Sequence, residues 1–277
     1  MEDKVYDYTA VSRDLRALTD RYPFVKSEII GKSLKRRNIY LIRLGEGERQ
    51  VFYNAAHHGT EWITAKLMMR FAFDFAESYV KGYRLAGYDI RRLYRDASIY
   101  IAPMVNPDGV ELSKTKEGWQ ANARGVDLNH NYDAGWDEYK KLARENGITA
   151  PGRTRYAGRR PESEPESKAI ADFTRRMDFE YVVAFHSQGE VIYWKYGKIL
   201  PPRSEEIARL ISKSSGYELD EADGLASYSG YKDWFIKEFG RPGYTIEVGA
   251  GENPLPLSQF EKIYKDILEI LVFVGLT

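Results

Sequence analysis

Apolar and polar residues are arranged along this chain in patterns that predict both helices and strands. Apolar residues recur at helical spacing from Tyr8 to Arg21, and they dominate residues 61–79, which predicts a long and mostly buried helix. Further helices are predicted at residues 163–177, 204–214, 232–238 and 257–274. Short apolar or alternating runs predict strands at residues 27–30, 38–44, 50–56, 98–104, 180–186 and 244–248.

The order of these elements predicts the fold class. Strands alternate with helices, and residues 180–186 form a nearly continuous apolar run, as expected for a strand buried in a parallel sheet. A turn is predicted at residues 106–109, and residues 111–160 are predicted to form a long functional loop region around one short helix. We therefore expect an α/β fold, an α/β/α sandwich in which helices cover both faces of a mixed, mostly parallel, twisted sheet.

Composition narrows the class of protein. The chain has 277 residues, of which 43% are hydrophobic, and this fits one large domain over residues 1–277. Lys+Arg and Asp+Glu both number 41, so no basic excess indicates a nucleic-acid partner. No apolar run reaches the length of a membrane-spanning helix and no signal peptide is visible, so we expect no membrane partner and a cytoplasmic location. Nothing in the sequence sets an oligomeric state.

Histidines and carboxylates are the only strong ligands that this sequence offers to a transition metal, because it contains no cysteine. The motif His58-Gly59-Thr60-Glu61 follows a predicted strand and opens a predicted helix, and His186 ends another predicted strand. Sheets of this class bind ligands at the carboxyl ends of their strands. Two imidazoles and one carboxylate with an open fourth position form a known catalytic zinc set. Taken alone, the His-x-x-Glu pattern is equally compatible with an ordinary histidine near a helix-capping glutamate.

Six short motifs follow one another along the chain: His58-Gly-Thr-Glu61, Asn106-Pro-Asp-Gly109, Gly125-Val-Asp-Leu-Asn129, Ser163-Glu-Pro-Glu166, His186-Ser187 and Thr245-Ile-Glu247. In this order they resemble the zinc metallocarboxypeptidase family along nearly the whole chain, and such an ordered set is hard to obtain by chance. The resemblance implies the family's α/β/α fold, a zinc peptidase activity and one Zn²⁺ per chain.

The resemblance also implies roles for single residues. The implied zinc ligands are His58, Glu61 and His186. Glu247 is implied as the base that activates water, although a glutamate at a strand end could also simply face solvent. Asp127 is expected to orient a ligand imidazole, and the alternative is an ordinary loop-capping aspartate. His57 is interpreted as a neighbour of the site and not as a ligand.

The oxyanion that develops during peptide hydrolysis needs a positive group in addition to the metal. The family uses an arginine in the loop before the Val-Asp-x-Asn motif, which corresponds here to residues 119–124. Arg124 is the candidate in this loop. An alignment anchored on Trp119 would instead place Gln120 at the family position.

Two positions depart from the pattern of a typical carboxypeptidase. Family members follow the asparagine with an arginine that grips the substrate's terminal carboxylate, and here the pair is Asn129-His130. An imidazole cannot reproduce the bidentate fork of a guanidinium. The family's aromatic lid residue is expected at the position of Ile236. Both differences argue against simple removal of a free C-terminal residue.

Residues 186–194, 230–235, 241–247 and 253–260 resemble a bacterial subset of the family, the γ-D-glutamyl-diamino acid peptidases. These enzymes cut the bond between γ-D-Glu and diaminopimelate, which implies a peptidoglycan-derived peptide as the partner. Asn129 and Gln188 are then candidate substrate-binding residues, Glu190 a candidate for the amine and His130 for a carboxylate. On sequence alone, Glu190 could equally be a solvated turn residue and His130 a loop hydrogen bonder.

Two other functions compete with this hypothesis. One keeps the zinc chemistry but takes ordinary peptides or a non-peptide amide as the substrate, and the other is a binding protein without catalysis. The four intact catalytic positions count against the second. The chain has no room for wall-binding repeats, so released peptidoglycan fragments are the expected substrate.

Overall fold

The computed structural model describes residues 5–273. Its α-helices are α1 (Tyr8–Arg21), α2 (Trp62–Lys81), α3 (Ile90–Asp96), α4 (Pro107–Ser113), α5 (Trp136–Glu145), α6 (Pro165–Arg175), α7 (Ser204–Ser215), α8 (Tyr231–Phe239) and α9 (Phe260–Phe273). Its strands are β1 (Lys26–Lys32), β2 (Asn38–Gly45), β3 (Arg49–Ala55), β4 (Arg84–Leu85), β5 (Tyr88–Asp89), β6 (Ala97–Ala102), β7 (Phe179–His186), β8 (Val191–Tyr193), β9 (Glu218–Asp220) and β10 (Gly243–Glu247). No helix in this described part is long and apolar enough to cross a bilayer.

Eight of the described strands form one sheet in the order β1-β2-β6-β3-β7-β10-β8-β9. The central strands β6, β3, β7 and β10 pair in parallel, and β8 pairs with β9 in parallel. The remaining pairings, β1 with β2, β2 with β6 and β10 with β8, are antiparallel. The predicted mixed, mostly parallel sheet is therefore confirmed.

Helices cover both faces of the sheet, and the side chains of β3 show why. Val51, Tyr53 and Ala55 point into a core that also holds buried residues of α1, α2, α3, α7 and α9. Phe52 points to the opposite face and packs there with residues of α6 and α8. This alternation follows from the two-residue period of a strand, and a strand buried on both faces has no polar side.

The register of the central strands brings three strand ends to one edge of the sheet. Ala55 at the end of β3 lies opposite Phe185 of β7. Glu247 at the end of β10 lies opposite His186, the last residue of β7. Because these strands are parallel, the segments that leave their carboxyl ends meet at the same place.

Several elements differ from the sequence prediction. Residues 106–109 were predicted as a turn, but they begin α4, because the Asn106 side chain caps the helix by accepting from the Gly109 N–H and Pro107 occupies the first turn. The short elements α3, β8 and β9 were not predicted. The helix predicted within residues 111–160 is α5. The helix predicted at 257–274 corresponds to α9. Residue 274 lies outside the described residues, and so do residues 1–4 and 275–277 of the predicted domain.

Phe52 provides a test of the packing on the α6 and α8 face. It is fully buried and contacts the rings of Phe173, Phe179 and Tyr231. We expect Phe52→Ala to lower the free energy of unfolding by about 3–5 kcal/mol, because it leaves a cavity. Ile29→Ala is the control, since Ile29 is 53% exposed. Urea denaturation of both variants measures the difference, and equal losses would contradict this description of the core.

Candidate metal and substrate site

Three side chains converge where the segments after β3 and the end of β7 meet. His58 Nδ1 lies 2.8 Å from Glu61 Oε1, and His186 Nδ1 lies 2.9 Å from Glu61 Oε2. One ligand atom from each residue lies within 4.8 Å of the others. His58 belongs to the loop after β3, Glu61 directly precedes α2, and His186 is the last residue of β7. A single carboxylate therefore faces two imidazole nitrogens from two strands.

The hydrogen bonds of His58 test whether this cluster fits a metal ion. His58 Nε2 lies 3.0 Å from Asp127 Oδ1, and since an ionised carboxylate only accepts, Nε2 carries the hydrogen. In a neutral imidazole, Nδ1 is then an acceptor, and it faces Glu61, another acceptor. Two acceptors at this distance require either a proton on Nδ1 or a metal cation between them. Nitrogen and oxygen donors from imidazole and carboxylate are those that Zn²⁺ takes in catalytic sites, so the residues fit the metal.

The electrostatics of the cluster favour positive charge beside Glu61. Burial alone would raise the pKa of Glu61, but the neighbouring His58 and His186 lower it to about 2. Burial alone would lower the pKa of His58, but Glu61 and Asp127 raise it well above its usual value. The cluster thus keeps its carboxylate ionised and stabilises positive charge at His58.

Asp127 links the cluster to the loop region. Besides His58, this buried carboxylate accepts the backbone N–H of Arg155 at 2.8 Å and that of Asn129 at 3.2 Å. Burial would raise the pKa of Asp127, but the charge and hydrogen bonds of its neighbours hold the pKa far below its usual range. Asp127 is therefore an ionised acceptor that fixes the tautomer of His58.

His57 lies behind the cluster and does not converge with it. Its ring stacks on that of His186 at a centroid distance of 5.4 Å, and its Nε2 lies 3.0 Å from the Tyr132 hydroxyl. Burial lowers the pKa of His57 well below its usual value, so the ring is neutral. This placement matches the interpretation of His57 as a neighbour.

Glu247 ends β10 directly beside His186 and lines a pocket in front of the cluster. Burial raises the pKa of Glu247 to about 7; the Glu61 carboxylate also raises it, while His186 opposes the shift. A carboxyl group with a pKa near neutrality can both accept and release a proton. Its position on a buried strand fixes the direction of the carboxylate.

Asn129 and His130 line the same pocket, which has a volume of about 240 Å³. The Asn129 Oδ1 atom accepts the backbone N–H of Tyr231 at 3.1 Å, so the side-chain NH₂ is what Asn129 can offer a ligand. His130 Nδ1 donates to the Tyr228 carbonyl at 3.1 Å, and the ring stacks on Tyr139. Burial lowers the pKa of His130, and a neutral ring of this tautomer presents an acceptor at Nε2.

Glu61 and His186 lie in the buried cluster behind this pocket and do not line it, and three further residues that the sequence placed in the site are also absent from the lining. Arg124 is largely exposed, and its guanidinium pairs with Glu164 at 3.2 Å. Gln188 is exposed, and Glu190 pairs with Lys262 at 2.8 Å. Gln120, the alternative to Arg124, does line the pocket; its Oε1 accepts from Thr154, which leaves its NH₂ as the free group.

Sequence reasoning gave no role to three charged residues that line the pocket, namely Arg155, Lys232 and Asp233. The usable signal was the charged pair Lys232-Asp233 at the start of a predicted helix, within a stretch that resembles the diamino acid peptidases. Ile236, the expected lid position, is fully buried and absent from the pocket lining, where Leu225 contributes apolar surface. The residue at the expected lid position therefore does not line this pocket.

Comparison with known proteins places this chain in a family. The family pattern described as zinc carboxypeptidase matches residues 11–270. Gamma-D-glutamyl-L-diamino acid endopeptidase 1 of Lysinibacillus sphaericus is 37% identical over 96% of this chain and 71% of its own length. Mast cell carboxypeptidase A of Rattus norvegicus is 28% identical over 98% of this chain and 71% of its own length.

Solved structures show the same fold. The crystal structure of thrombin activatable fibrinolysis inhibitor superposes with a TM-score of 0.83 at 20% identity, covering 99% of this chain and 74% of that one. The family's metal is zinc, and the convergent set of His58, Glu61 and His186 matches its requirement for imidazole and carboxylate ligands. The chain belongs to the zinc carboxypeptidase family of metallopeptidases.

Proposed function

We propose that this metallopeptidase hydrolyses the γ-D-glutamyl-diaminopimelate bond of peptidoglycan stem peptides. The observation that carries the substrate is the 37% identity, over 96% of the chain, to an enzyme named gamma-D-glutamyl-L-diamino acid endopeptidase. The pocket is compatible with it, because His130 stands where the family resemblance implies a carboxylate-binding arginine, and burial lowers the pKa of His130, so the ring supplies no such cation. A cytoplasmic location, and with it released wall fragments as the substrate, stays a prediction.

The proposed reaction assigns a role to each residue around the cluster. His58, Glu61 and His186 hold zinc, which supplies Lewis acidity to the water and to the scissile carbonyl. Glu247 accepts a proton from the attacking water and delivers it to the leaving amine of the diamino acid. Asp127 keeps His58 in the ligating tautomer.

The groups that stabilise the oxyanion are proposed to come from the pocket lining. Gln120 offers its side-chain NH₂, since its oxygen is held by Thr154. Arg155 lines the pocket too, and its backbone is fixed by Asp127. Arg124 keeps the role only if its guanidinium leaves Glu164, a buried carboxylate that is 2% exposed.

A carboxypeptidase acting on ordinary peptides is the second candidate. The similarity to mast cell carboxypeptidase A favours it, and so does the presence of Arg155 in the pocket lining, because an arginine is suited to bind a plain terminal carboxylate. Binding modules without catalysis are disfavoured by the membership of this chain in a peptidase family.

Metal binding can be tested with two histidines that lie side by side. We expect His186→Gln to lose zinc, because one of three ligands is gone, whereas His57→Gln should keep one zinc per chain. Elemental analysis of the folded fraction of each variant measures this. A zinc content that depends on His57 and survives loss of His186 would show that the ligand set is different.

The substrate and the base are tested together with the tripeptide L-Ala-γ-D-Glu-meso-diaminopimelate. We expect the zinc-loaded protein to release free diaminopimelate, and Glu247→Gln to keep zinc while turnover falls by about 10²–10⁴-fold. Mass analysis of the products measures both. Glu238→Gln is the matched control, because Glu238 is exposed on α8.

Three outcomes are informative. Release of the C-terminal residue from ordinary peptides, with the γ-D-Glu tripeptide untouched, would establish the second candidate. Near-normal turnover of Glu247→Gln would show that another group takes the proton. If Glu247→Gln and Glu238→Gln lose the same amount of turnover, the effect comes from removing any carboxylate and not from the position of Glu247.

The oxyanion groups are separated by comparing three variants. We expect Gln120→Ala or Arg155→Ala to lower kcat by about 10²–10³-fold, because a group directed at the developing charge acts only in the transition state. Arg124→Ala should leave kcat nearly unchanged. Steady-state kinetics on the same tripeptide decides. A large fall in kcat for Arg124→Ala alone would return the role to Arg124, and effects on KM alone would indicate substrate anchoring.

A further inference from the structure

Lys232 and Asp233 form a charged pair inside the substrate pocket. They are neighbours in the first turn of α8 and are only 4% and 3% exposed. Both line the pocket that also contains His58 and Glu247. A buried ion pair therefore faces the same pocket as His58 and Glu247.

Counting hydrogen bonds shows that the pair has unused capacity. The Lys232 ammonium donates to the Lys195 carbonyl at 2.6 Å and to Asp233 Oδ1, which leaves one of its three N–H groups. The Asp233 carboxylate offers about four acceptor sites, of which Lys232 and the Gly230 backbone N–H occupy two. Burial raises the pKa of Asp233 although Lys232 opposes the shift, so a second cation beside Asp233 would be favourable.

A contribution to the stability of the fold does not by itself explain why this ion pair is buried. Two charges taken out of water cost more than their attraction returns unless further partners satisfy them, and apolar substitutes are often as stable. A lysine in the first turn of a helix also faces the positive end of the helix dipole. The bond to the Lys195 carbonyl could pin α8 in place, and this structural role is the alternative that a test must exclude.

We propose that Lys232 and Asp233 together recognise the distal end of a diamino dicarboxylic acid in the leaving group. Its carboxylate binds the Lys232 ammonium, and its ammonium binds the Asp233 carboxylate. The apolar side chains of Ala222 and Leu225, which line the same pocket, are available to its methylene chain. This inference rests on the proposed function and names the residues that select its substrate.

The arrangement explains how the diamino acid is distinguished from lysine. Diaminopimelate carries both an ammonium and a carboxylate at its distal end, whereas lysine carries the ammonium alone. With lysine bound, the remaining Lys232 N–H would have no carboxylate partner, and a buried donor without a partner is costly. The amine is therefore assigned to Asp233, because Glu190 pairs with Lys262 and is absent from the pocket lining.

The test compares ligands as well as variants. Calorimetry with the zinc-loaded wild-type protein measures the binding of free meso-diaminopimelate, L-lysine and L-2-aminopimelate, which lacks the distal amine. We expect diaminopimelate to bind about 10- to 100-fold more tightly than L-lysine, the range for one charge-assisted hydrogen bond. The same preference is expected in kcat/KM for γ-D-Glu peptides that end in diaminopimelate or lysine.

The double variant Lys232→Met/Asp233→Asn removes both charges at once, so that no single buried charge is left unpaired. We expect it to lose the preference between diaminopimelate and lysine in both measurements. The exposed pair on α6 provides the matched control, Lys168→Met/Asp172→Asn, which should keep the preference. A purely structural pair would change the melting temperature while the preference persists in the folded fraction, and that result would overturn the inference.

Failure of this inference is distinguishable from failure of the proposed function. If the wild-type protein prefers diaminopimelate in calorimetry but leaves the γ-D-Glu bond intact, the pocket assignment stands and the proposed function fails. If it cuts the bond but treats lysine and diaminopimelate alike, the proposed function stands and the assignment to Lys232 and Asp233 fails. The wild-type comparison decides this even where the double variant does not fold.

Discussion

The parallel register of β3, β7 and β10 is the constraint on which the site depends. It sets Ala55 opposite Phe185 and His186 opposite Glu247, so that three chain segments leave the sheet at one level. A shift by one residue in any pairing would turn His186 or Glu247 to the opposite face. The apolar side chains on both faces of β3 and β7 prevent such a shift, because each is matched to a core. The packing of these apolar side chains therefore fixes the geometry of the candidate site.

The polar motifs outside the cluster serve this geometry indirectly. The Asn106 side chain donates to the carbonyls of His57 and Gln120, and so joins the segment before the ligands to the pocket loop. Asp108 is fully buried and receives hydrogen bonds from Ser33 and Arg37. Motifs that resemble a catalytic signature thus include residues whose observed contacts are with the protein itself. Buried polar groups need such partners, and this need explains why they occur in fixed sets.

Strand periodicity predicted the sheet, because it is a local signal. The convergence of His58, Glu61 and His186 was implied by the resemblance of the ordered motifs to a zinc peptidase family, and the strand ends alone left it open. Sequence reasoning did not predict where the side chains of the irregular segments point. Glu190 has a φ of 53° and Arg155 a φ of 65°, left-handed conformations that no periodic pattern reveals. Arg124 is the arginine of the loop directly before Val126 and Asp127, yet the fold pairs it with Glu164. Arg155, from a later part of the loop region, lines the pocket instead.

Asp127 shows how the loop and the cluster become one unit. One of its oxygens accepts from His58 and the other accepts the backbone N–H of Arg155, so the carboxylate that contacts a candidate ligand also holds the backbone of a residue that lines the pocket. An ionised, buried carboxylate is stable only while such donors surround it. Any rearrangement of residues 153–156 would therefore cost hydrogen bonds at Asp127 and disturb His58. The long loop region therefore holds its pocket residues in place through hydrogen bonds to Asp127, a carboxylate that also contacts a candidate metal ligand.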